Sequence, residues 1–139
     1  MGIETEIHAA LMDQAASLSI TPAMPTAFPG VSDDVREGDY LEVFHLPNEP
    51  TRTELESARP MDYFGFLQYN IYRRVTANSW DVMSKVIADQ IKTHFPPGIR
   101  LTYSGTTLKV VKCWAGNGRK DQNGTHWQTP VFIEYVRIS

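Results

Sequence analysis

The hardest constraint in this chain is a stop. From Trp80 onward the apolar residues Trp80, Met83, Ile87, Ala88, Ile91 and Phe95 fall on one face of an ideal helix, with Lys85, Asp89 and Lys92 on the opposite face. The stripe then meets Phe95-Pro96-Pro97-Gly98. A residue before proline is pushed out of the α region, a second proline removes another donor, and glycine supplies freedom to turn. Ser79 stands where an N-cap is needed. The spacing predicts a helix that buries one face, ends at Phe95 and delivers the chain into a turn.

A first helix is predicted from Ile3, Ile7, Leu11, Ala15 and Leu18, with Glu4, Glu6 and Asp13 off the stripe and acids near its positive end. It cannot pass Thr21, because Pro22, Pro25 and Pro29 follow; "TPAMPTAFPG" predicts an extended or polyproline-like run anchored by Met24 and Phe28. "YLEVFHL" and "YFGFLQYNIYRRV" read as strands, with Gly65 a bulge or a close-approach point. "RLTYSGTTLKVVKCW" reads as a hairpin turning at Ser104-Gly105, and "WQTPVFIEYVRI" as a final strand. Between them lie the polar loop "VSDDVREGD", the sixteen-residue connection "PNEPTRTELESARPMD" and the glycine-rich loop "AGNGRKDQNGTH". At 139 residues this is one domain, 1–139. The order of elements predicts an α+β fold, a mixed, mainly antiparallel sheet with two helices packed on one face.

The strands carry a second signal. In a sheet with one wet face, apolar and polar residues alternate. Here Val131, Ile133 and Tyr135 share one parity while Phe132, Val136 and Ile138 occupy the other, and Leu67, Tyr69 and Ile71 alternate with Phe66 and Tyr72. Two helices cover only one face. Either the sheet curls over itself or another subunit covers the second face, and the expectation is self-association.

Composition excludes several partner classes. Thirteen basic and sixteen acidic side chains leave a net charge of -3, without the basic excess that duplex DNA or an anionic membrane demands. No run reaches the length of a membrane span, the first residues lack a signal-peptide pattern, and Glu6 stands where a myristoylation motif wants Ser or Thr. The expectation is a soluble protein made in a reducing compartment. Cys113 is the single cysteine, which excludes an intrachain disulfide and a multi-thiolate metal site; within "LKVVKCW" it reads as a buried strand residue.

No catalytic constellation emerges. His8, His45, His94 and His126 are far apart, and none has a metal-ligand spacing; His94 reads as a partly buried residue at the edge of its helix stripe. An EF-hand reading from Asp33 places Gly38 sixth but Val35 third and Phe44 twelfth, so Asp33, Asp34, Glu37 and Asp39 read as a solvated loop. Gly116 and Gly118 precede Arg119-Lys120 without phosphate-loop spacing and before a strand, which is what a long hairpin loop requires. Arg73-Arg74 beside Tyr69 and Tyr72 suggests a single-strand stacking surface, against which stands the narrowness of the basic field. The expected protein is not an enzyme and needs no cofactor and no metal.

Taken in order, these segments resemble the phage tail terminator-like proteins, small neck proteins of long-tailed phages. The resemblance covers nearly the whole length and rests on "ITPAMPTAFPG", "YLEVFHLPNEP", "GFLQYNIYRR" before a helix, "VIADQIKTHFPPGIRL", and the closing "WQTPVFIEYVRI". One departure is "PGVSDDVREGDY", acidic where relatives are more apolar. The resemblance implies a subunit of a homo-oligomeric ring, usually a hexamer, seated on the last disc of the tail tube. There it stops tube polymerisation and meets the head-tail connector protein, in a virion neck assembled in the host bacterial cytoplasm. It implies no catalytic residues, no membrane and no specific nucleic-acid binding, although DNA passes through the ring. Candidate subunit or partner contacts are Glu54, Glu56, Arg59, Arg73, Arg74, Arg119, Lys120 and Asp121. Two alternatives stay open: a neighbouring neck or head-completion adaptor, and a small ligand- or nucleic-acid-binding domain using Arg73, Arg74, Arg119 and Lys120.

Overall fold

A computed structural model describes residues 2–21, 23–29, 38–47, 63–74, 80–120 and 124–139. In chain order its elements are α1 (Ile3–Ala16), β1 (Thr26–Ala27), β2 (Tyr40–Pro47), β3 (Phe64–Arg74), α2 (Trp80–His94), β4 (Arg100–Tyr103), β5 (Thr106–Ala115), β6 (Arg119–Lys120) and β7 (His126–Arg137). The strands form one sheet ordered β1-β2-β3-β7-β5-β4, with β6 pairing β7 off this path. Only β1 runs parallel to its neighbour; every other pair is antiparallel. This is the expected α+β architecture, with both helices on the same face.

Register explains which residues meet those helices. Leu41 and Val43 of β2, Leu67, Tyr69 and Ile71 of β3, Val131, Ile133 and Tyr135 of β7, and Leu108 and Val110 of β5 are buried on one side of the sheet. Against them lie Ile7, Ala10, Leu11 and Ala15 of α1 and Ile87, Ala88 and Ile91 of α2. The run "VVKCW" has no simple alternation, and the structure supplies the reason. The register of β5 against β7 shifts between Val110 and Lys112, a β-bulge that leaves Val111 as the extra residue. Val111 is 46% exposed, and beyond it Cys113 returns to the buried side opposite Ile133.

The stop after α2 is secured from several directions. Phe95 is fully buried, and its amide still donates to the Ile91 carbonyl at 3.2 Å. Gly98 has φ of 92°, and the turn is sewn to β5 by Gly98 N–H to the Val110 carbonyl (2.7 Å) and Val110 N–H to the Ile99 carbonyl (3.0 Å). Ser104 and Gly105 both have positive φ, as a tight two-residue hairpin turn requires. The predicted N-cap Ser79 and the side chain of Trp80 lie outside the described residues.

The first helix is shorter than the apolar stripe implies. It ends at Ala16, and Leu18 packs on the core from beyond the helix. Ser17 closes the helix locally, its amide (3.2 Å) and its hydroxyl (2.7 Å) both donating to the Gln14 carbonyl. His94 Nε2 also donates to that carbonyl at 2.7 Å, and the Gln14 amide donates to the His94 carbonyl at 2.9 Å, so the two helix ends are tied to each other. Gln90 then exchanges two 2.8 Å hydrogen bonds with the backbone of Thr21. In "TPAMPTAFPG", Thr26 and Ala27 pair with Leu41 and Glu42 while Met24 and Phe28 pack on the core, so the extended run becomes a short edge strand. The glycine-rich loop also contains structure, since Arg119 and Lys120 pair with Gln128 and Trp127.

Gly65 is a close-approach point and not a bulge, because the registers with β2 and β7 run through it unbroken. A Cβ there would lie 2.5 Å from the Leu46 carbonyl oxygen and 2.9 Å from the Tyr135 hydroxyl. The carbonyl belongs to the sheet and cannot yield, whereas the phenol crosses the space the missing side chain leaves. Gly65→Ala is expected to destabilise the fold by about 1–3 kcal/mol, the usual range for overpacking, read as a lowered midpoint in urea with unchanged slope.

Candidate interaction surface

The second face of the sheet has no helix on it among the described residues. Its rows follow from the register. Phe44, Gln68, Phe132 and Trp114 lie side by side across β2, β3, β7 and β5, and Leu46, Phe66, Glu134 and Lys112 form the next row. Trp114 stacks on Phe132 with centroids 5.4 Å apart, Phe66 meets Trp114 edge-on at 5.9 Å, and the Lys112 ammonium sits 5.0 Å above the Trp114 ring. Leu46 and Phe64 extend this aromatic area at 44% and 40% exposure. Among the described residues the sheet does not curl over to hide it, so there the two-parity pattern in the sequence corresponds to one face covered by helices and one without them.

Polar groups interrupt the aromatic area and satisfy one another. The Gln68 amide donates to Asn70 Oδ1 (2.9 Å), and the Asn70 amide donates to Glu42 Oε1 (3.0 Å). The Tyr72 hydroxyl donates to the same carboxylate oxygen at 3.3 Å. Burial, then the Glu42 charge, push the Tyr72 phenol upward, so it stays a donor. Beside it Tyr40 stacks on Tyr72 (4.5 Å), and the buried His126 ring meets both edge-on while its Nε2 donates to the Gly38 carbonyl at 3.0 Å.

The structure brings four of the sequence-predicted contacts together at one end of the sheet. Arg73 lies opposite Trp127, which pairs with Lys120; Tyr72 lies opposite Gln128, which pairs with Arg119; and Arg74 closes β3. Arg119, Lys120 and Arg74 are exposed. Arg73 is mostly enclosed and sits 3.7 Å from Asp39, whose other carboxylate oxygen accepts from the Arg74 amide at 2.8 Å. Tyr69 and Tyr72 point to opposite faces, with Tyr69 fully buried, so the predicted stacking pair beside the arginines is not a shared surface. Glu54, Glu56, Arg59 and Asp121 lie outside the described residues, as do Asp33, Asp34 and Glu37 of the acidic loop.

The glycines that invited a phosphate-loop reading have a packing role. A Cβ on Gly118 would overlap the Trp127 indole nitrogen, and one on Gly116 would lie 2.9 Å from Pro130 Cγ. Cys113 is half-buried and packs against the core, and burial pushes its thiol up to about 11 against the opposing pull of Lys92. It is therefore a protonated thiol at neutral pH, poorly suited to nucleophilic work.

Linear spacing missed one cluster altogether. His8 on α1 and His45 on β2, 37 positions apart, place their Nδ1 atoms 3.2 Å from each other, and His45 Nε2 lies 2.5 Å from the Tyr135 hydroxyl. They line a cavity of about 490 Å³ with Glu4, Thr5, Tyr63 and Phe64. Burial, and secondarily the neighbouring His8, lower His45 to about 4. With an unfolded value of 6.5, the unfolded chain takes up this proton first. The stability carried by neutral His45 is complete above pH 6.5 and is lost as pH falls towards 4. Thermal midpoints measured from pH 7 to pH 4 are expected to fall more steeply for the native chain than for His45→Gln; parallel curves would contradict this assignment.

Comparison with known proteins places this geometry in context. A family model described as phage tail terminator protein matches residues 6–135. Six chains of solved structures match as well. One of them aligns with a TM-score of 0.77 at 19% identity, covering 99% of this chain and 98% of that one, a likeness that concerns the fold. No curated protein sequence matches.

Proposed function

The chain belongs to the phage tail terminator family, and from that premise we propose that it caps the tail tube. Copies of it assemble as a ring, taken as a hexamer, on the last disc of the tube, stop further polymerisation and offer the other side to the head-tail connector protein. The observation that carries this reading is the family match across residues 6–135. Its role is structural, in the neck of the virion, and no step of it calls for catalysis.

The open sheet face gives the proposal a physical means. Closed rings are built from heterologous contacts, in which one patch of a subunit meets a different patch of its neighbour. An aromatic surface centred on Trp114, Phe132 and Phe66, with Lys112 and Glu134 beside it, has the character of such a patch: rigid apolar area with charges near it. The exposed Arg119, Lys120 and Arg74 at the end of the sheet, together with Glu54, Glu56, Arg59 and Asp121, serve as contacts to tube or connector. A net charge of -3 suits a ring through which DNA must pass without sticking.

Particles lacking the protein are expected to show overlong or unjoined tails by negative-stain microscopy. Tails of normal length on leaking heads would instead assign it to a head-completion role. In solution, Trp114→Glu is expected to weaken self-association by about tenfold or more, the scale of losing one aromatic anchor, with the circular dichroism spectrum kept. Light scattering and sedimentation read that change, and an unaltered distribution would remove the open face from the subunit contact.

A further inference from the structure

We propose that His8 and His45 form a two-histidine chelate for a divalent transition-metal ion, Zn²⁺ or a close analogue, through their Nδ1 atoms. Two nitrogen ligands about 2.0–2.1 Å from a tetrahedral Zn²⁺ lie about 3.3 Å from each other. The Nδ1 atoms of His8 and His45 are separated by 3.2 Å, so the protein already holds them at the bite of one ion. Their ring centroids are 5.4 Å apart with the ring planes 30° from parallel, and binding one ion requires both rings to turn so that their Nδ1 lone pairs converge off the line joining them.

The surroundings have the features a metal-ligating imidazole requires. Such a histidine holds its second nitrogen to an outer partner that fixes ring orientation and tautomer. For His45 that partner is the Tyr135 hydroxyl, 2.5 Å from Nε2, itself positioned by the space above Gly65. With Nε2–H donating to the phenol oxygen, the Nδ1 lone pair faces His8. In the metal-free chain His8 Nδ1–H then donates to that lone pair. Metal binding moves the His8 proton from Nδ1 to Nε2 and releases none.

Two imidazoles leave positions to fill. No group of three or more histidine, cysteine or acidic side chains with metal-holding geometry occurs among the described residues. The 490 Å³ cavity has room for water in the remaining positions, with Glu4 one helical turn before His8 on its wall. Imidazole nitrogens select for Zn²⁺, Ni²⁺ or Cu²⁺ over Mg²⁺ or Ca²⁺, which prefer oxygen. Such an ion would tie α1 to β2 on the side of the sheet away from the open face.

The test is titration of the full chain with Zn²⁺ by calorimetry, and with Co²⁺ by its visible absorption, at pH 7.5. A single saturable site is expected, silent to Mg²⁺. His8→Gln, a half-buried position on the helix surface, is expected to weaken binding at least tenfold, and Tyr135→Phe by about 10–100-fold, the usual cost of losing an outer-shell partner. His94→Gln leaves the affinity unchanged. Because a substitution can disturb folding, imidazole ¹⁵N shifts of the native chain give an independent reading. Zn²⁺ is expected to move the Nδ1 resonances of His8 and His45 and to leave those of His94 and His126 in place. Absence of saturable binding, shifts at other histidines, or full affinity in His8→Gln would overturn the proposal.

Discussion

Along the eleven residue pairs that join β3 to β7, every second pair puts its side chains into the core and the alternate pairs point away from the helices. Leu67 with Ile133, and Tyr69 with Val131, are buried; Phe66 with Glu134, and Gln68 with Phe132, are their outward counterparts. The other elements take their places from this ladder. β2 adds to the free side of β3, β5 and β6 to the free side of β7, and the helices lie on the side where burial is complete. A slip of one residue would exchange the two faces, and the mixed outward side could not replace the apolar inward one.

The two faces are stabilised differently. Inward contacts are aliphatic and aromatic side chains out of water, each worth roughly 1.5–3 kcal/mol when fully buried. Outward contacts are aromatic stacks and a hydrogen-bonded run from Gln68 through Asn70 to Glu42 and Tyr72. That run lets the isolated subunit meet water without leaving polar groups unsatisfied, while the rings around Trp114 keep enough apolar area to reward a neighbour. A face built wholly of leucine and phenylalanine would have favoured indiscriminate aggregation.

Much of this was legible in the chain itself. Strong periodicity marked α2 and its stop at Phe95, parity marked the open face, and turn chemistry marked Ser104-Gly105. What stayed hidden depended on partners distant in sequence. The tie between the ends of α1 and α2 joins Gln14 to His94, eighty positions away. The bulge at Val111 is visible only against β7, and the short β1 and β6 exist only because β2 and β7 offer them an edge. The four basic contacts scatter over two segments yet meet at one sheet end through register. His8 and His45 carry no mutual spacing signal at all, since one lies on a helix and the other on a strand. The family resemblance was legible for the opposite reason, since it rests on the order of whole elements, which local packing does not alter.

The position of β7 has a kinetic consequence. It is the last strand in chain order, yet it lies between the β1-β2-β3 half of the sheet and the β5-β4 half. Its pairs with β3 close sequence separations from 52, for Arg74 with His126, to 72, for Phe64 with Val136. Among the described residues the two halves share no other ladder, so neither can complete its hydrogen bonding until that strand arrives. Long-range closure of this kind is slow compared with forming a helix or a local hairpin. During synthesis, the edges of β3 and β5 therefore stay unpaired with each other's half of the sheet until β7 has been made.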